Sequence, residues 1–465
     1  METLIERKPY MRQLRELRDE HVIKVITGVR RCGKSTLLEM FAGELRRNVT
    51  EKQIQFYNFE DPDVFTLGDY KQIYDYIKVK LIAGKMNYIF LDEVQNVKTF
   101  ERLVDGLFIK KNVDLYITGS NAYLLSGELA TLLTGRYIEI SILPFSFEEY
   151  WEISQNYQKS SKNESFRNLK DNLSNSQKSS KNESFRNLED NPPNSQNLSK
   201  NESFRNLEDS QPNSQKSSKF DFLGNFIYTG SIPQAVHLFQ HNPEQADAFL
   251  KGILNTIIEK DIFTRREIYN KPTFHKIVDF LLDSTGSFVS PGSISKAFKS
   301  DGIIIDNKTV SQYLDYLASA FLFYKVPRYD IKGKNLLRTL DKYYVADTGF
   351  RKARLGKKHD EDRGHLLENV VYLELRRRNR EVYVGKMRDK EVDFVVVDKE
   401  GYVSYYQVAW SVTDPATLER ELAPFRAIKD SNPKYLLSTD WDVNPVYNGI
   451  RKLNVADWLE KGSNI

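Results

Sequence analysis

An α/β chain with a phosphate-binding loop on a parallel sheet, then a winged-helix module and a second α/β module, is the fold class the sequence predicts. Three observations predict it. A β-branched run near the N-terminus, HVIKVIT (21–27), enters a glycine-bearing loop that opens into a helical pattern. Helical stretches followed by two β-like runs occupy 272–346. A helix–strand–strand order opens the C-terminal part.

The length of 465 residues allows about three domains. Hydrophobic residues make up 40%, which supports a globular core and excludes a wholly disordered or collagen-like chain. The single cysteine excludes an intramolecular disulfide framework and a Cys-rich zinc module. No run of 18 apolar residues predicts a membrane-spanning helix. The stretch METLIERKPYMRQLRELRDE is charged from its start and lacks an apolar signal core, so a cytoplasmic protein with no membrane partner is expected. The net charge of +4 conceals a basic segment, since Phe321–Lys390 holds 19 Lys/Arg against 10 Asp/Glu. Such an excess marks either a nucleic-acid footprint or a solvated basic face.

The loop after the first strand reads Gly28-Val29-Arg30-Arg31-Cys32-Gly33-Lys34-Ser35-Thr36 and matches G-x-x-x-x-G-K-[ST] between a strand and a helix. Its glycines let backbone N–H groups curl round phosphate, Lys34 adds charge, Ser35 offers a hydroxyl to Mg²⁺, and the helix N-terminus favours the anion. NYIFLDEVQ (87–95) is a buried-strand run ending in two adjacent carboxylates. Asp92 is assigned to Mg²⁺ and Glu93 to the general base that activates water. Further strands are expected at Gln53–Phe59, Val113–Thr118 and 137–143. Ser120 and Asn121 follow the second of these, on the ligand side of an open α/β sheet, and are candidate γ-phosphate sensors. Arg136 in Thr134-Gly135-Arg136 is a candidate arginine finger, in cis or across a subunit boundary. Cys32 lies inside the phosphate loop, so thiol reagents are expected to block nucleotide entry.

ITGVRRCGKSTLL, FLDEVQ and ITGSNAYLLSGELATLLTGRYIEISILPFSFEEY together resemble a family of bacterial and archaeal AAA-type ATPases. Its members carry a C-terminal domain of unknown function. The resemblance runs over most of the chain and implies an AAA+-like P-loop core, ATP and Mg²⁺ as ligands, and the finger role for Arg136.

One segment stands apart. A 19-residue unit recurs from Ser160, Ser179 and Leu198, with one Phe and one or two Leu per copy. That is too little apolar surface to offset the entropy of ordering it, and a disordered insertion is expected at 154–219. The organisation predicted is therefore an ATPase core at 1–153, the insertion, a helical segment at 220–271 completing the core module, a winged helix at 272–346 and the last module at 347–465.

In the winged-helix stretch, helices are expected over Pro272–Gly286, Ser290–Lys299 and from Asp306 onward. Val310, Tyr313, Leu314 and Leu317 form one apolar stripe of the third helix. Runs at 321–329 and 336–346 make the hairpin, with Lys332 and Lys334 as candidate DNA contacts at its tip. Both DNA contact and a protein–protein role fit this module.

Gly364–Asn369 opens a helix, and EVDFVVV follows on a strand. This order resembles the PD-(D/E)XK nuclease fold, which implies that Glu368 and Asp393 correspond to metal-holding acids. Gln407-Val408-Ala409 stands where E-x-K is expected, so this is a degenerate version of the motif. His359 and His365 are further candidate ligands. Three functions fit. The leading one is a Mg²⁺-dependent ATPase whose nucleotide state switches the winged-helix and C-terminal modules on a nucleic-acid or protein partner, as monomer or oligomer. The alternatives are an ATP-regulated metal-dependent endonuclease and a non-hydrolysing nucleotide-binding scaffold in signalling or defence.

Overall fold

The computed structural model describes residues 5–122, 135–157, 213–356, 362–378, 380–387, 389–441 and 446–460. Residues 158–212, which hold most of the 19-residue repeat, and His359 lie outside the described residues; at the two ends of the insertion expected as disordered, 154–157 and 213–219 are helical instead.

Strands β1 (Ile23–Thr27), β2 (Ile54–Asn58), β3 (Asn87–Asp92), β4 (Val113–Gly119) and β5 (Tyr137–Ser141) form a five-stranded sheet in the order β2-β3-β4-β1-β5. Every pairing in it is parallel. All residues of β1, β3 and β4 are buried, as expected of parallel strands covered on both faces. Alternation along the strands divides the core. Ile26, Phe90 and Tyr116 pack with Leu38 and Phe41 of the helix Lys34–Leu45, while Val25, Leu91 and Ile117 pack with Leu103 and Leu107 of the helix Phe100–Phe108. β2 and β5 are the edges, and Ile138 and Glu139 of β5 remain exposed.

Helices Asn213–Thr229, Pro233–His241 and Pro243–Thr256 follow, the last running into a π-helical segment, Ile257–Phe263. The stretch 272–346 then holds the three expected helices, Lys271–Asp283, Pro291–Ser300 and Asn307–Ser319. Their starts are fixed by side chains: Asn270 accepts from the Thr273 N–H, Ser290 from Ser293, and Asp306 from Lys308 and Thr309. Val310, Tyr313, Leu314 and Leu317 are all buried, as their spacing predicts.

A second, nine-stranded mixed sheet comprises β6 (Phe288–Val289), β7 (Phe323–Asp330), β8 (Asn335–Val345), β9 (Glu381–Met387), β10 (Lys390–Val397), β11 (Val403–Ala409), β12 (Lys434–Ser438), β13 (Val446–Tyr447) and β14 (Ile450–Asn454). Its order is β13-β14-β12-β11-β10-β9-β7-β8-β6. The hairpin β7–β8 thus joins the C-terminal strands. Arg328 of β7 sits opposite Val384 of β9 in parallel register, so main-chain pairing crosses the boundary expected at 346/347.

Two contacts tie this second sheet to the first. The helix Arg363–Arg377, buried from Leu366 to Leu375, ends in Arg377, which donates to the Pro144 carbonyl at 2.9 Å and to the Tyr10 hydroxyl at 3.1 Å. Asp347 accepts from the Ser231 backbone and hydroxyl and from the Gly349 N–H. Gly230, at φ +79°, is required beside it, since a Cβ there would meet the Asp347 Oδ1 at 1.9 Å. Among the described residues, no helix is long and apolar enough to cross a membrane.

Candidate nucleotide site

The loop between β1 and the helix Lys34–Leu45 is held in a shape that only glycine permits at its first position. Gly28 has φ +149°, and a Cβ there would sit 2.2 Å from the Ile142 carbonyl oxygen. Gly33, in the left-handed region at φ +101°, places the helix start so that its free N–H groups face the loop. A cavity of about 270 Å³ opens here, lined by Gly33, Lys34, Ser35, Thr36 and Glu93 together with Ile5, Met40, Phe145 and Pro233.

Lys34 is buried and donates to the Gly28 and Val29 carbonyls at 3.1 and 3.4 Å. Its ammonium lies 3.7 Å from Glu93 Oε1. Thr118, near the end of β4, touches both acidic residues: its hydroxyl donates to the Asp92 carboxylate at Oδ1 and accepts the Glu93 backbone N–H at 2.9 Å. Burial pushes the Asp92 carboxyl up, opposed by hydrogen bonds from Thr118 and Ser35. The same contact brings Asp92 and Ser35, the two expected Mg²⁺ ligands, together. Burial also pushes Glu93 upward, but the charges of Lys34 and Arg30 and hydrogen bonds from Gln95 and Ser120 outweigh it and hold the carboxyl below its usual range. Glu93 is therefore ionised at neutral pH. Its left-handed backbone, φ +52°, turns its side chain back toward Lys34.

The sensor candidates face a residue that sequence reasoning missed. Ser120 Oγ lies 3.3 Å from Asp261 Oδ1, and Asn121 Nδ2 donates to the Asp261 carbonyl at 3.0 Å. Arg30 of the phosphate loop donates twice to the same carboxylate, at 2.9 and 3.1 Å, and once to Glu60. Asp261 thus links the loop, the end of β4 and the π-helical segment. Its only trace in the sequence was as one of two acids, with Glu259, in the stretch IIEKDIF. Arg7 was missed as well. It is buried and donates to Glu149 through two nitrogens, to Cys32 O in the phosphate loop at 2.9 Å, and to Leu143 O and Pro144 O. Pro144 O is therefore shared between Arg7, beside the nucleotide cavity, and Arg377 of the C-terminal region.

Two expectations are corrected. Arg136 cannot act as a finger in cis. Its carbonyl pairs with Ile23 at the start of β1, the opposite end of that strand from the phosphate loop, and its guanidinium binds Asp105 at 2.7 Å. The Cys32 thiol does not face the entry. It is fully buried against Gly28, and burial pushes its pKa up, so alkylation is disfavoured twice over.

In the second sheet, Glu368 and Asp393 do come together, with a lysine that the E-x-K search did not find. Lys342 of β8 lies 2.7 Å from Glu368 Oε1 and 2.6 Å from Glu391 Oε1. Burial disfavours its charge, but Glu368, Asp393 and Glu391 outweigh that and raise its pKa. Burial and the neighbouring Glu368 hold Asp393 well above the usual carboxylate range. Gln407 accepts the Asp393 N–H at 3.3 Å and donates to Glu421 at 2.8 Å. His365 Nδ1 stands 3.9 Å from Glu368 Oε2. Lys332 and Lys334 are exposed at the β7–β8 tip.

A parallel sheet with this loop and these carboxylates defines the class of P-loop nucleoside triphosphatases. A family model described as an AAA domain matches residues 20–151, and one described as a domain of unknown function matches 221–361. The chain is 32% identical over 458 residues to an uncharacterized protein of Haemophilus influenzae, covering 98% of each. It is 25% identical over 418 residues to one of Methanocaldococcus jannaschii, covering 88% of this chain and 79% of that one. The chain belongs to this family of AAA-type ATPases. Among solved structures, the Walker-type ATPase of Pyrococcus abyssi is similar over 75% of this chain and 95% of that one, with 15% identity and a TM-score of 0.42. The Aeropyrum pernix ORC1 protein in complex with DNA is similar over 80% and 94%, with 11% identity and a TM-score of 0.28.

Proposed function

We propose that the protein hydrolyses ATP with Mg²⁺ and that its nucleotide state repositions the second sheet and its helices on a nucleic-acid or protein partner. The convergence of Lys34, Ser35 and Glu93 on one cavity, with Asp92 hydrogen-bonded to Ser35 behind it, carries this reading. The loop N–H groups and Lys34 bind the β- and γ-phosphates. Ser35 and Asp92 are the residues that would hold Mg²⁺, and their mutual contact fits an ion sharing a hydroxyl and a carboxylate. Mg²⁺, when bound, neutralises charge on the phosphate oxygens. Glu93, ionised and held by the Thr118 and Gln95 contacts, orients the attacking water and takes its proton. Ser120 and Asn121 report the γ-phosphate to Asp261, and thereby to the π-helical segment. Arg7 and Arg377, meeting at Pro144 O, offer a second path from the nucleotide cavity to the second sheet.

We read 272–346 as a winged helix whose exposed Lys332 and Lys334 contact phosphate, and Arg136 as a finger supplied to a neighbouring subunit. The exposed edge strand β5 beside Arg136 supports the second assignment. The test is ATP turnover of the full chain with and without double-stranded DNA. DNA is expected to raise turnover in the wild type and to lose that effect in Lys332→Ala/Lys334→Ala. Turnover at background under every condition would favour the non-hydrolysing scaffold.

A further inference from the structure

We infer that Lys342 is the resident cation of the acid cluster in the second sheet, standing where a nuclease of the resembling fold would hold its divalent ion, so that the cluster is a structural lock without metal chemistry.

A metal-dependent site of this type needs two carboxylates and a further oxygen aimed at one point, with room for the ion and its water. Here the point is occupied. Lys342 reaches in from β8, a strand outside the helix–strand–strand unit that carries the acids, and its side chain is 5% exposed. Its ammonium makes contacts of 2.7 Å to Glu368 and 2.6 Å to Glu391. Glu368 Oε1 accepts a further hydrogen bond from the buried Tyr344 hydroxyl, two residues along the same strand. Asp393 and Gln407 carry hydrogen bonds of their own. Asp393 Oδ2 accepts the Val408 N–H at 2.7 Å, and the Gln407 side chain spans the Asp393 N–H and Glu421. Among the described residues no group of three or more His, Cys, Asp and Glu side chains converges as metal ligands.

An ammonium supplies what the two carboxylates need, charge and directed hydrogen bonds, but it cannot bind and activate water as a Lewis acid does. It also brings a mechanical consequence. Lys342 ties the hairpin β7–β8 to the helix Arg363–Arg377 and to β10, so the hairpin moves with the C-terminal strands.

Calorimetric titration of the full chain with Mn²⁺ tests this. The wild type is expected to show no Mn²⁺ binding that Asp393→Asn removes. Lys342→Gln, which frees the centre while keeping a polar stem, is expected to bind one Mn²⁺ at least tenfold tighter than the wild type. The double variant Lys342→Gln/Asp393→Asn should lose it. Wild-type Mn²⁺ binding that depends on Asp393 would overturn the inference, as would a folded Lys342→Gln with no gain. If Lys342→Gln does not fold alone, its recovery by millimolar Mn²⁺ supports the inference and its failure to recover counts against it. DNA cleavage by the wild type with Mn²⁺, lost in Asp393→Asn, would also overturn it.

Discussion

The nucleotide cavity and the acid cluster of the second sheet each set one buried lysine among carboxylates, and they differ in what the lysine leaves open. Lys34 stays 3.7 Å from Glu93 and spends its hydrogen bonds on loop carbonyls. Glu93 beside it lines the nucleotide cavity. Lys342 contacts two acids, at 2.7 and 2.6 Å. The same residue types thus make a binding site in one place and a lock in the other. Distance decides which, because a charge that already has close partners gains little from a ligand.

The sharpest way to break this comparison is to remove each lysine in turn. Lys34→Ala is expected to abolish ATP binding measured by calorimetry while the thermal midpoint changes little. Lys342→Ala should do the reverse. Removing one partner of a buried, hydrogen-bonded charge cluster costs about 3–5 kcal/mol, read in a denaturant titration, with ATP affinity unchanged. If both variants lose stability alike and both still bind ATP, the contrast fails.

A smaller effect sharpens the joint between the two regions. Asp347 is fully buried, and burial lifts its carboxyl to about 6, opposed by the hydrogen bonds from Ser231 and Gly349. An acid near 3.9 when unfolded and higher when folded favours the protonated folded chain. Its contribution to stability is fullest below pH about 4 and is lost as pH rises through 6. The two units correspond to about 3 kcal/mol. Asp347→Asn should flatten that part of the stability–pH profile. A profile unchanged between pH about 4 and 6 would remove Asp347 from the titrating groups.

Much of the first region was legible because its information is local. Gly28 to Thr36 and Asp92-Glu93 are contiguous, and each strand of the parallel sheet is a short buried run whose pattern speaks for itself. Asp261, Arg7 and Lys342 were not legible as partners. Arg7 meets Glu149 across 142 positions and Arg30 meets Asp261 across 231, and no spacing rule reaches so far. Lys342 did leave a trace, since in LDKYYVA it shares the inward face with Tyr344 and Ala346. The Lys in place of an apolar residue on that face announced a buried charge, whereas the E-x-K pattern concerns β11 alone. Arg136 failed in cis for a topological reason: the strand it opens is parallel to β1, which sends its start to the far end of the sheet.

The central claim is that Glu93 activates water in a cavity that grips ATP. The direct measurement is single-turnover ATP hydrolysis by Glu93→Gln against the wild type, with bound nucleotide counted in the same samples. The account predicts that the variant retains ATP while hydrolysis falls by about 10²–10⁴-fold. Unchanged hydrolysis in the variant, or no ATP retained by either protein, would contradict it.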